Sequence, residues 1–313
     1  MLNDVSGKTA FITGGASGMG LGMAKAFAKH GMNVVIADIR QSALDDAMSE
    51  FSDTNFPVHA IKLDVTDRDD WVKAADEAEQ VYGNIHLLVL NAGVGVAGKP
   101  MQNATYKDWD FNLSVNVGGV VNGLVTVLPR MIAHGEAGHV VTTSSTGGFS
   151  AVGGAGLYCT AKYAVAGMTE SLATDLEGTN IGASVFFPGP VKTSLGQTTQ
   201  EVRPEHLRDD APPVAQGKTP PRQMPSFDPN VFMDPEEVGE RVLRGVERGD
   251  LFIMSHPEFR DGIVARNNAL LRAIPQDPPN PQRAEVVKLF GTLLYNPVYD
   301  TQGDVPALET SDD

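Results

Sequence analysis

A tyrosine and a lysine one helical turn apart can act together in acid–base chemistry. Tyr158 and Lys162 fall within "YCTAK", and residues four apart on a helix share one face. A free phenol has a pKa of about 10, too high for a base at neutral pH, whereas an ammonium group beside it favours the phenolate. Two interpretations are open: ordinary helix neighbours, or a phenol made basic by its neighbour. Ser145 adds a hydroxyl to the same window.

Three glycines near the N-terminus indicate a site for a phosphate-containing ligand. Gly14, Gly18 and Gly20 lie where a predicted strand meets a predicted helix. Such glycines let the backbone approach a pyrophosphate held at a helix N-terminus. Glycine turns of this kind are common, so the glycines alone are weak evidence. Asp38, an acid at the end of the next predicted strand, makes the interpretation much stronger.

Asp38 favours NAD over NADP as the cofactor. An aspartate at this position accepts hydrogen bonds from both ribose hydroxyls and repels the 2′-phosphate of NADP. Arg40 leaves an alternative open, because an arginine there could pair with that phosphate. We favour the interpretation in which Arg40 is a solvated side chain lying against the adenine. Asp64 and Val65, at the end of the third predicted strand, are placed to meet the adenine ring, and Asp64 could instead cap a helix.

Strands and helices alternate along most of the chain. The predicted strands are continuously apolar, which is typical of a parallel sheet covered by helices on both faces. They fall at 8–13, 33–38, 58–65, 86–93, 139–145, 182–190 and 250–255. The predicted helices fall at 18–30, 42–51, 67–83, 107–134, 156–178, 234–249, 257–273 and 281–294. The pattern predicts an α/β fold with a single doubly wound, Rossmann-like parallel sheet.

The sequence divides into three predicted parts. Residues 1–255 form a dinucleotide-binding and catalytic domain, 256–299 a helical C-terminal extension, and 300–313 an acidic tail that we expect to be weakly ordered. Within the first part, residues 194–235, which we call the flap, are rich in proline and lack periodicity. Long segments of that kind inside a compact domain are usually functional or disordered. We expect a long loop or loosely helical cover over a substrate.

The composition argues against several classes of function. The 313 residues carry a net charge of −15 and no dense run of lysine and arginine, so neither nucleic acid nor a membrane surface is an expected partner. One cysteine, Cys159, excludes an internal disulfide and a cysteine-rich metal site. No secretory leader is recognisable, and no apolar run approaches the roughly 18 residues of a membrane helix. The most apolar stretch, 113–128, is interrupted by asparagines and glycines. We expect a cytoplasmic protein without a metal.

Several motifs in a fixed order resemble those of the short-chain dehydrogenase/reductase family, in its single-domain branch. They are "TGGASGMG" at 13–20, "NAG" at 91–93, Asn116, Ser145 followed by "YCTAK", and "PGPVKT" at 188–193. One departure is visible, because Leu90 stands where the family usually has a second asparagine before "NAG". The resemblance implies an NAD-dependent oxidoreductase that transfers a hydride between a secondary alcohol or ketone and nicotinamide.

The resemblance implies roles for four catalytic residues. Tyr158 is the expected acid/base. Lys162, together with the charge of oxidised nicotinamide, is expected to lower the pKa of that tyrosine and to hold the nicotinamide ribose. Ser145 is expected to bind the substrate oxygen, and Ser144 is an equally placed alternative. Asn116 matches the position that holds a proton-relay water, or is alternatively a satisfied core asparagine.

The implied cofactor site combines the glycine loop, the ends of the second and third strands, "NAG", the catalytic pair and the turn after the sixth strand. Thr193 is expected to anchor the carboxamide of the nicotinamide. The full set is Gly14, Ser17, Gly18, Met19, Gly20, Asp38, Ile39, Arg40, Asp64, Val65, Asn91, Ala92, Gly93, Tyr158, Lys162, Pro188, Gly189, Val191 and Thr193.

Substrate contacts are expected from loops at the same end of the sheet and from the flap. An apolar pocket beneath a long cover suits a bulky, aromatic or alicyclic secondary alcohol or ketone. The apolar flap residues could instead pack on the body of the protein or on a neighbouring subunit. The expected substrate residues are Val94, Val96, Ser145, Gly147, Phe149, Val152, Leu157, Pro190, Phe227 and Phe232.

Three longer segments are similar to bacterial Cα-dehydrogenases, which oxidise the benzylic alcohol of lignin-derived β-aryl ethers with NAD. They are "VLPRMIAHGEAGHVVTTSS", "MSHPEFRDGIVARNNALLRAIP" and "LLYNPVYD". The alternatives are a general alcohol, diol or steroid dehydrogenase or carbonyl reductase of the same family, and a non-catalytic dinucleotide-sensing protein. The joint presence of Ser145, Tyr158 and Lys162 counts against the sensing protein. The family resemblance also implies a homodimer or homotetramer packed through the helices at 107–134 and 156–178.

Overall fold

The computed structural model describes residues 2–96, 99–208, 231–289 and 296–307. Within these residues one sheet contains seven parallel strands in the order β3-β2-β1-β4-β5-β6-β7. The strands are β1 (Thr9–Thr13), β2 (Asn33–Asp38), β3 (Val58–Lys62), β4 (Leu87–Leu90), β5 (Gly138–Thr143), β6 (Ile181–Phe187) and β7 (Phe252–Met254). The prediction of a doubly wound α/β fold is confirmed.

Helices flank the sheet on both faces. Over the described residues they are α1 (Gly18–Lys29), α2 (Gln41–Phe51), α3 (Arg68–Tyr82), α4 (Tyr106–Leu113), α5 (Gly119–His134), α6 (Gly156–Asp175), α7 (Leu195–Val202), α8 (Pro235–Arg248), α9 (Arg260–Arg272) and α10 (Pro281–Leu289). Asp67 caps α3 by accepting the amide hydrogens of Asp69 and Asp70. Gly249 ends α8 in the left-handed conformation that favours glycine.

Successive side chains of the central strands enter different cores, so both faces of the sheet are buried. In β1, Ala10 and Ile12 contribute to the core that contains residues of α1 and α8. Phe11, between them, contributes to the core that contains residues of α3 and α5. Every residue of β1 is buried. This two-sided burial is the reason for the unbroken apolar runs in the sequence.

The strand order reverses between β1 and β4, where open α/β sheets form a ligand crevice. Ala10 lies opposite Val34 of β2 on one side and opposite Leu87 of β4 on the other. The connections after β1 and β4 therefore depart from each other. The crevice lies beyond Thr13 and Leu90, at the carboxyl ends of these strands.

Close contact between α1 and α8 fixes the direction in which α1 points. A Cβ atom at Gly22 would lie 2.0 Å from the main-chain oxygen of Pro235, and one at Gly239 would lie 2.7 Å from the oxygen of Gly22. Both positions therefore require glycine for the two backbones to approach. The N-terminus of α1 is held at the edge of the crevice as a result.

The predicted helix at 107–134 is a continuous helical segment, Tyr106–His134, in which a π turn at Ser114–Gly118 joins α4 to α5. By length and composition alone this segment could cross a membrane, with a mean hydropathy of 1.5, although no unbroken apolar run of that length exists. In the fold, its Val120, Val127 and Met131 are buried in the core shared with α3. We therefore describe it as a core helix of the α/β domain.

The end of the C-terminal extension and the start of the acidic tail cover the β7 edge of the sheet. Tyr299 donates a 2.5 Å hydrogen bond to the carboxylate of Glu170 on α6, and its ring stacks on Phe252 of β7 with centroids 6.1 Å apart. The side-chain oxygen of Gln302 accepts the amide hydrogen of Phe252 at 2.8 Å, which satisfies a group that an edge strand would otherwise expose. Residues 308–313 of the acidic tail lie outside the described part, and the three-part division stays a prediction.

Candidate active site

A cavity of about 450 Å³ lies at the carboxyl ends of the central strands, within the range typical of ligand pockets. Its floor is made by the turns after β1, β2, β3 and β4, one wall by α4 and the π turn, and its outer wall by the flap. Most of the predicted cofactor residues line it: Gly14, Ser17, Gly18, Met19, Gly20, Asp38, Ile39, Arg40, Asp64, Val65, Asn91, Ala92, Gly93, Tyr158, Lys162 and Thr193.

The glycine loop brings the backbone close to the cavity because two of its glycines have positive φ. Gly14 has φ +62° and Gly18 has φ +52°, a region that other residues rarely occupy. A Cβ at Gly14 would lie 3.0 Å from the Cα of Ala92, and one at Gly18 would lie 3.2 Å from the methyl group of Thr193. The loop is thus packed between "NAG" and the start of the flap.

The N-terminus of α1 offers an uncapped anion site. Ser17 is the N-cap residue, yet its side chain makes no capping hydrogen bond, and the first turn contains no acidic residue. Its hydroxyl instead accepts a 2.8 Å hydrogen bond from Arg40. The free amide groups at a helix N-terminus bind phosphate well. The glycine loop and this helix end therefore fit the pyrophosphate of a dinucleotide.

Asp38 and Arg40 form a tight pair at the far end of the cavity. The buried carboxylate of Asp38 accepts the amide hydrogen of Arg40 at 3.1 Å, its Nε–H at 3.2 Å and a terminal N–H at 3.3 Å. A terminal nitrogen of the guanidinium also lies 3.8 Å from the carboxylate of Glu201 on α7. Two carboxylates thus hold one arginine, which differs from the solvated arginine that we expected.

The turn after β3 forms the wall beside Asp38. Asp64 accepts hydrogen bonds from the amide and hydroxyl of Thr66, at 2.9 and 2.8 Å, so its side chain stabilises this turn and does not cap α3. The carbonyl of Val65 accepts from the indole of Trp71 and from Asn122, both at 3.0 Å. Both predicted adenine contacts therefore lie in a turn fixed by hydrogen bonds on its outer side.

Thr13, which we did not predict from the sequence, organises the "NAG" turn. Its hydroxyl oxygen accepts the amide hydrogens of Asn91 and Ala92 at 2.9 and 3.0 Å. Its carbonyl accepts from the side-chain amide of Asn91 at 2.9 Å. The available signal was a threonine at the end of an apolar strand, where a buried hydroxyl needs partners.

Ser145, Tyr158 and Lys162 come together beside this turn. Ser145 interacts with the phenol of Tyr158 in the sense that lowers the pKa of that phenol, and the oxygen of the Ser145 hydroxyl accepts the amide hydrogen of Gly147 at 3.1 Å. The ammonium nitrogen of Lys162 lies 5.6 Å from the ring centre of Tyr158. Ser144 is engaged elsewhere, since its hydroxyl donates to the carbonyl of Lys162 at 2.8 Å. The geometry therefore distinguishes Ser145 from Ser144.

Burial dominates the electrostatics of the tyrosine–lysine pair. Desolvation raises the pKa of Tyr158 above its ordinary value, partly offset by the hydrogen bond from Ser145. The expected lowering relies on the charge of oxidised nicotinamide as well as on Lys162 and stays a prediction for the complex with cofactor. In the protein alone, burial of the phenol dominates, and Lys162 donates to the carbonyl of Thr143 at 2.8 Å. Burial lowers the pKa of Lys162 to about 8, so the ammonium form still predominates at neutral pH.

Asn116 lies in the π turn, and its side chain is fully occupied. Its amide nitrogen donates to the carbonyl of Val94 at 2.9 Å and to Asn112 at 3.0 Å, and its oxygen accepts the amide hydrogen of Val94 at 3.0 Å. A Cβ at Gly93 would lie 2.8 Å from that oxygen and 3.4 Å from the Lys162 nitrogen. The side chain positions the turn next to the lysine, and the proton-relay role stays a prediction.

The remaining predicted residues lie away from the lining of this cavity, except Val94, which is part of it. Phe149 packs on Phe187 and Phe259 with ring centroids 5.3 and 5.7 Å apart. Leu157 is buried, whereas Val152 and Pro190 are exposed. Over the described residues the lining also lacks the following predicted residues: Val96, Ser145, Gly147, Phe232, Pro188, Gly189 and Val191. Phe227 lies outside the described part.

Comparisons with known proteins agree with this geometry. A family model described as short chain dehydrogenase matches residues 8–204. A C alpha-dehydrogenase of Sphingobium sp. (strain NBRC 103272 / SYK-6) is 36% identical over 295 residues, which cover 93% of this chain and 95% of the relative.

Two solved structures extend the likeness to three dimensions. The apo form of LigO from Sphingobium sp. strain SYK-6 is 38% identical, with a TM-score of 0.73 and coverage of 98% of this chain and 100% of its own. A short chain dehydrogenase/reductase from Burkholderia phymatum in complex with NAD is 31% identical, with a TM-score of 0.80 and coverage of 88% of this chain and 99% of its own. The predicted family and the likeness to Cα-dehydrogenases are confirmed. The chain belongs to the short-chain dehydrogenase/reductase family and is an oxidoreductase whose fold binds a nicotinamide dinucleotide.

Proposed function

We propose that the protein oxidises a bulky secondary alcohol to a ketone with NAD, and that Tyr158 is the acid/base. The observation that carries the proposal is the grouping of Ser145, Tyr158 and Lys162 next to a cavity built for a dinucleotide. A sensing protein without catalysis has no need for a phenol buried between a hydroxyl donor and an ammonium group.

The reaction divides between this chain's residues and the bound cofactor. Ser145 and Tyr158 hydrogen-bond the substrate hydroxyl and hold its carbinol carbon towards the cavity. Tyr158 as phenolate takes the hydroxyl proton, while the carbinol hydrogen leaves with its electron pair, which gives the ketone. A bound NAD supplies the hydride acceptor. In reduction the same tyrosine returns the proton to the carbonyl oxygen.

Lys162 contributes a positive charge that its surroundings hold in place. Its hydrogen bond to the carbonyl of Thr143 fixes the ammonium at the end of β5. From there it stabilises the phenolate of Tyr158 and is within the site where the cofactor ribose would lie. Burial strengthens this interaction, because little water screens it.

The preference for NAD rests on Asp38, Arg40 and Glu201. The buried carboxylate of Asp38 is placed to accept hydrogen bonds from ribose hydroxyls. Arg40, the cation that could bind a 2′-phosphate, is shared by Asp38 and Glu201. A phosphate would have to displace both carboxylates from it. The relative from Burkholderia phymatum, which was solved with NAD, supports the same choice.

The proposed substrate is an aromatic secondary alcohol, specifically the Cα benzylic alcohol of a lignin-derived β-aryl ether. The Cα-dehydrogenase likeness supports it because the match spans 93% of this chain and so includes the flap and the C-terminal extension. The flap contributes the apolar side chains of Leu195, Val202 and Leu207 to the lining of the cavity, which also contains Phe111. Such a wall suits an aryl group better than a sugar.

The substrate proposal is tested with NAD, purified protein and matched alcohols. The panel contains a β-aryl ether with a free Cα hydroxyl, the same ether with that hydroxyl methylated, and an alicyclic secondary alcohol. We expect NADH formation and the Cα ketone, identified by mass spectrometry, from the first compound alone or at least tenfold faster than from the alicyclic alcohol. Turnover of the alicyclic alcohol with none of the aryl ether would contradict the proposed substrate.

We also infer that the protein is a homo-oligomer of the cytoplasm that packs through α5. Its Val121, Val125 and Ile132 are 38, 71 and 49% exposed, which is unusual for apolar residues on one helix face. Light scattering should give the mass of a dimer or tetramer, and Val125→Glu should lower that mass. A monomeric wild-type protein would contradict this arrangement.

A further inference from the structure

The described part of the flap at 194–208 runs across the outer side of the cavity. Near its start, Thr193 lies against Gly18 of the glycine loop. In α7, the hydroxyl oxygen of Thr199 accepts the amide hydrogen of Gly95 at 2.8 Å. At the end of α7, Glu201 faces Arg40. A dinucleotide in this cavity would therefore lie beneath the flap.

After α7, the described part of the flap forms an ion pair with a buried carboxylate of α4. A terminal nitrogen of Arg203 lies 2.9 Å from one carboxylate oxygen of Asp108, whose side chain is only 3% exposed. The Nε–H of the same arginine donates to the carbonyl of Leu207 at 2.8 Å, which closes the chain into a turn. The guanidinium also lies 5.4 Å from the ring centre of Phe111, a residue of the cavity wall.

Asp108 is held rigidly from its own side. It forms a capping box with Thr105 at the N-terminus of α4, and its second oxygen accepts from Lys99 at 2.6 Å. Burial alone would raise the pKa of Asp108, but hydrogen bonds from Lys99, Thr105 and Arg203 outweigh it and lower the pKa to about 2. The carboxylate is a fixed anion, and removal of Arg203 would leave it buried with one partner fewer.

We propose that Asp108 and Arg203 form a latch that holds residues 194–208 of the flap closed over the bound dinucleotide and sets the rate at which the dinucleotide dissociates. They are positioning residues, since neither is placed at the reacting atoms. The other polar contacts of residues 194–208 with the body of the protein include the neutral hydrogen bond at Gly95, an exposed hydrogen bond from the ammonium of Lys107 to the carbonyl of Arg208 at 2.8 Å, and the half-exposed ion pair at Arg40. Each of these three is weaker than a charged pair with fixed geometry on a buried carboxylate. The proposal rests on the family's use of a nicotinamide dinucleotide and on neither the choice of NAD nor the substrate.

The test measures release of NADH and of NADPH from the full-length protein by stopped-flow fluorescence, without any alcohol. Arg203→Met and Asp108→Asn should each release the dinucleotide about tenfold faster than wild type, equivalent to about 1.4 kcal/mol. Arg203→Lys keeps the positive charge but lacks the paired N–H donors of the guanidinium. Its release rate should therefore lie between those of wild type and Arg203→Met. Arg130→Met is the matched control, because Arg130 also holds two carboxylates, Asp76 and Glu79, and lies on α5 away from the flap.

Release within about twofold of wild type in folded Arg203→Met and Asp108→Asn proteins would overturn the latch, as would equal acceleration by Arg130→Met. Lower thermal stability with unchanged release would show a structural role and also overturn it. Should Arg203→Met fail to fold, Arg203→Lys and Asp108→Asn decide. Because no substrate is used, failure of the latch is distinct from failure of the proposed alcohol oxidation.

Discussion

Lys162 donates a 2.8 Å hydrogen bond to the main-chain carbonyl of Thr143, at the point where β5 ends and the active-site turn begins. This contact holds an ammonium group that is almost entirely buried, and burial lowers its pKa to about 8. A buried lysine with one carbonyl partner is unfavourable for stability at neutral pH, because the charged form loses its hydration. The buried lysine at this position is explained by the effect of its charge on the neighbouring Tyr158.

Replacing Lys162 by methionine should abolish turnover and change how stability depends on pH. In the folded protein this lysine loses its proton near pH 8, whereas in the unfolded chain it keeps it to about 10.5. The unfolded state therefore binds more protons between these values, and the stability of the wild type rises with pH across that window by up to about 3 kcal/mol. Denaturant unfolding at several pH values should show this rise in wild type only. Parallel curves for the two proteins would contradict the burial argument.

A methyl group added to Gly14 should weaken dinucleotide binding as well as stability. Gly14 has φ +62°, and a Cβ there would meet the backbone of Ala92 at 3.0 Å. Gly7 is a matched control with φ +70° and open space around a Cβ. Gly7→Ala should cost about 1–2 kcal/mol from backbone strain alone and leave NADH affinity unchanged. Gly14→Ala should lower the free energy of unfolding by more than Gly7→Ala does, and should lower the affinity for NADH at least tenfold in a fluorescence titration. Equal NADH affinities of the Gly14→Ala and wild-type proteins would contradict the argument that the backbone at Gly14 approaches the cofactor closely.

Removing the charge of Asp38 should shift cofactor use towards NADP. Asp38→Asn frees Arg40 from one of its two carboxylates and removes the anion that opposes a 2′-phosphate. The ratio of kcat/KM for NADP to that for NAD should rise at least tenfold, and Glu201→Gln should raise it further in the double variant. Asp46→Asn, an exposed change on α2, should leave the ratio unchanged. A wild-type preference for NADP would contradict this account.

His139 should make the protein less stable as the pH falls below neutrality. It is fully buried in β5, where burial lowers its pKa from 6.5 to about 3. Between those values the unfolded chain binds a proton that the folded protein does not, so this contribution to stability is present above about pH 6.5 and is lost at about 1.4 kcal/mol per pH unit below it. His139→Gln should remove that slope relative to wild type, while the exposed His30→Gln should keep it. Identical acid profiles for wild type and His139→Gln would contradict the assignment.

The sheet and the cofactor residues could be predicted because local signals agree with the global fold. Continuous apolar runs marked the strands to within a few residues, and β2 was predicted at its observed bounds, Asn33–Asp38. Glycines and an acid at strand ends can be assigned to a ligand site because the carboxyl ends of parallel strands lie at the same edge of the sheet. The placement of these glycines and of Asp38 therefore followed from their positions at strand ends, whereas that of Asn91 and Thr193 followed from the family resemblance.

The contacts of the flap and the pairings between distant polar residues could not be predicted. Neither the periodicity nor the composition of 194–208 shows that Arg203 reaches Asp108, 95 residues away, because a salt bridge leaves no local pattern. The ion pairs of Arg40 with Asp38 and Glu201 could not be predicted for the same reason. The direction of the Tyr158 pKa shift depended on burial, which spacing does not report.

The most direct test of the central claim compares Tyr158→Phe with Tyr163→Phe. The two tyrosines lie on α6, but of the two only Tyr158 interacts with Ser145 and lines the cavity. NADH formation from a β-aryl ether with a free Cα hydroxyl should fall at least a thousandfold in Tyr158→Phe and stay within about twofold of wild type in Tyr163→Phe, with NADH binding unchanged in both. Undiminished turnover in a folded Tyr158→Phe protein would contradict the assignment of Tyr158 as the acid/base.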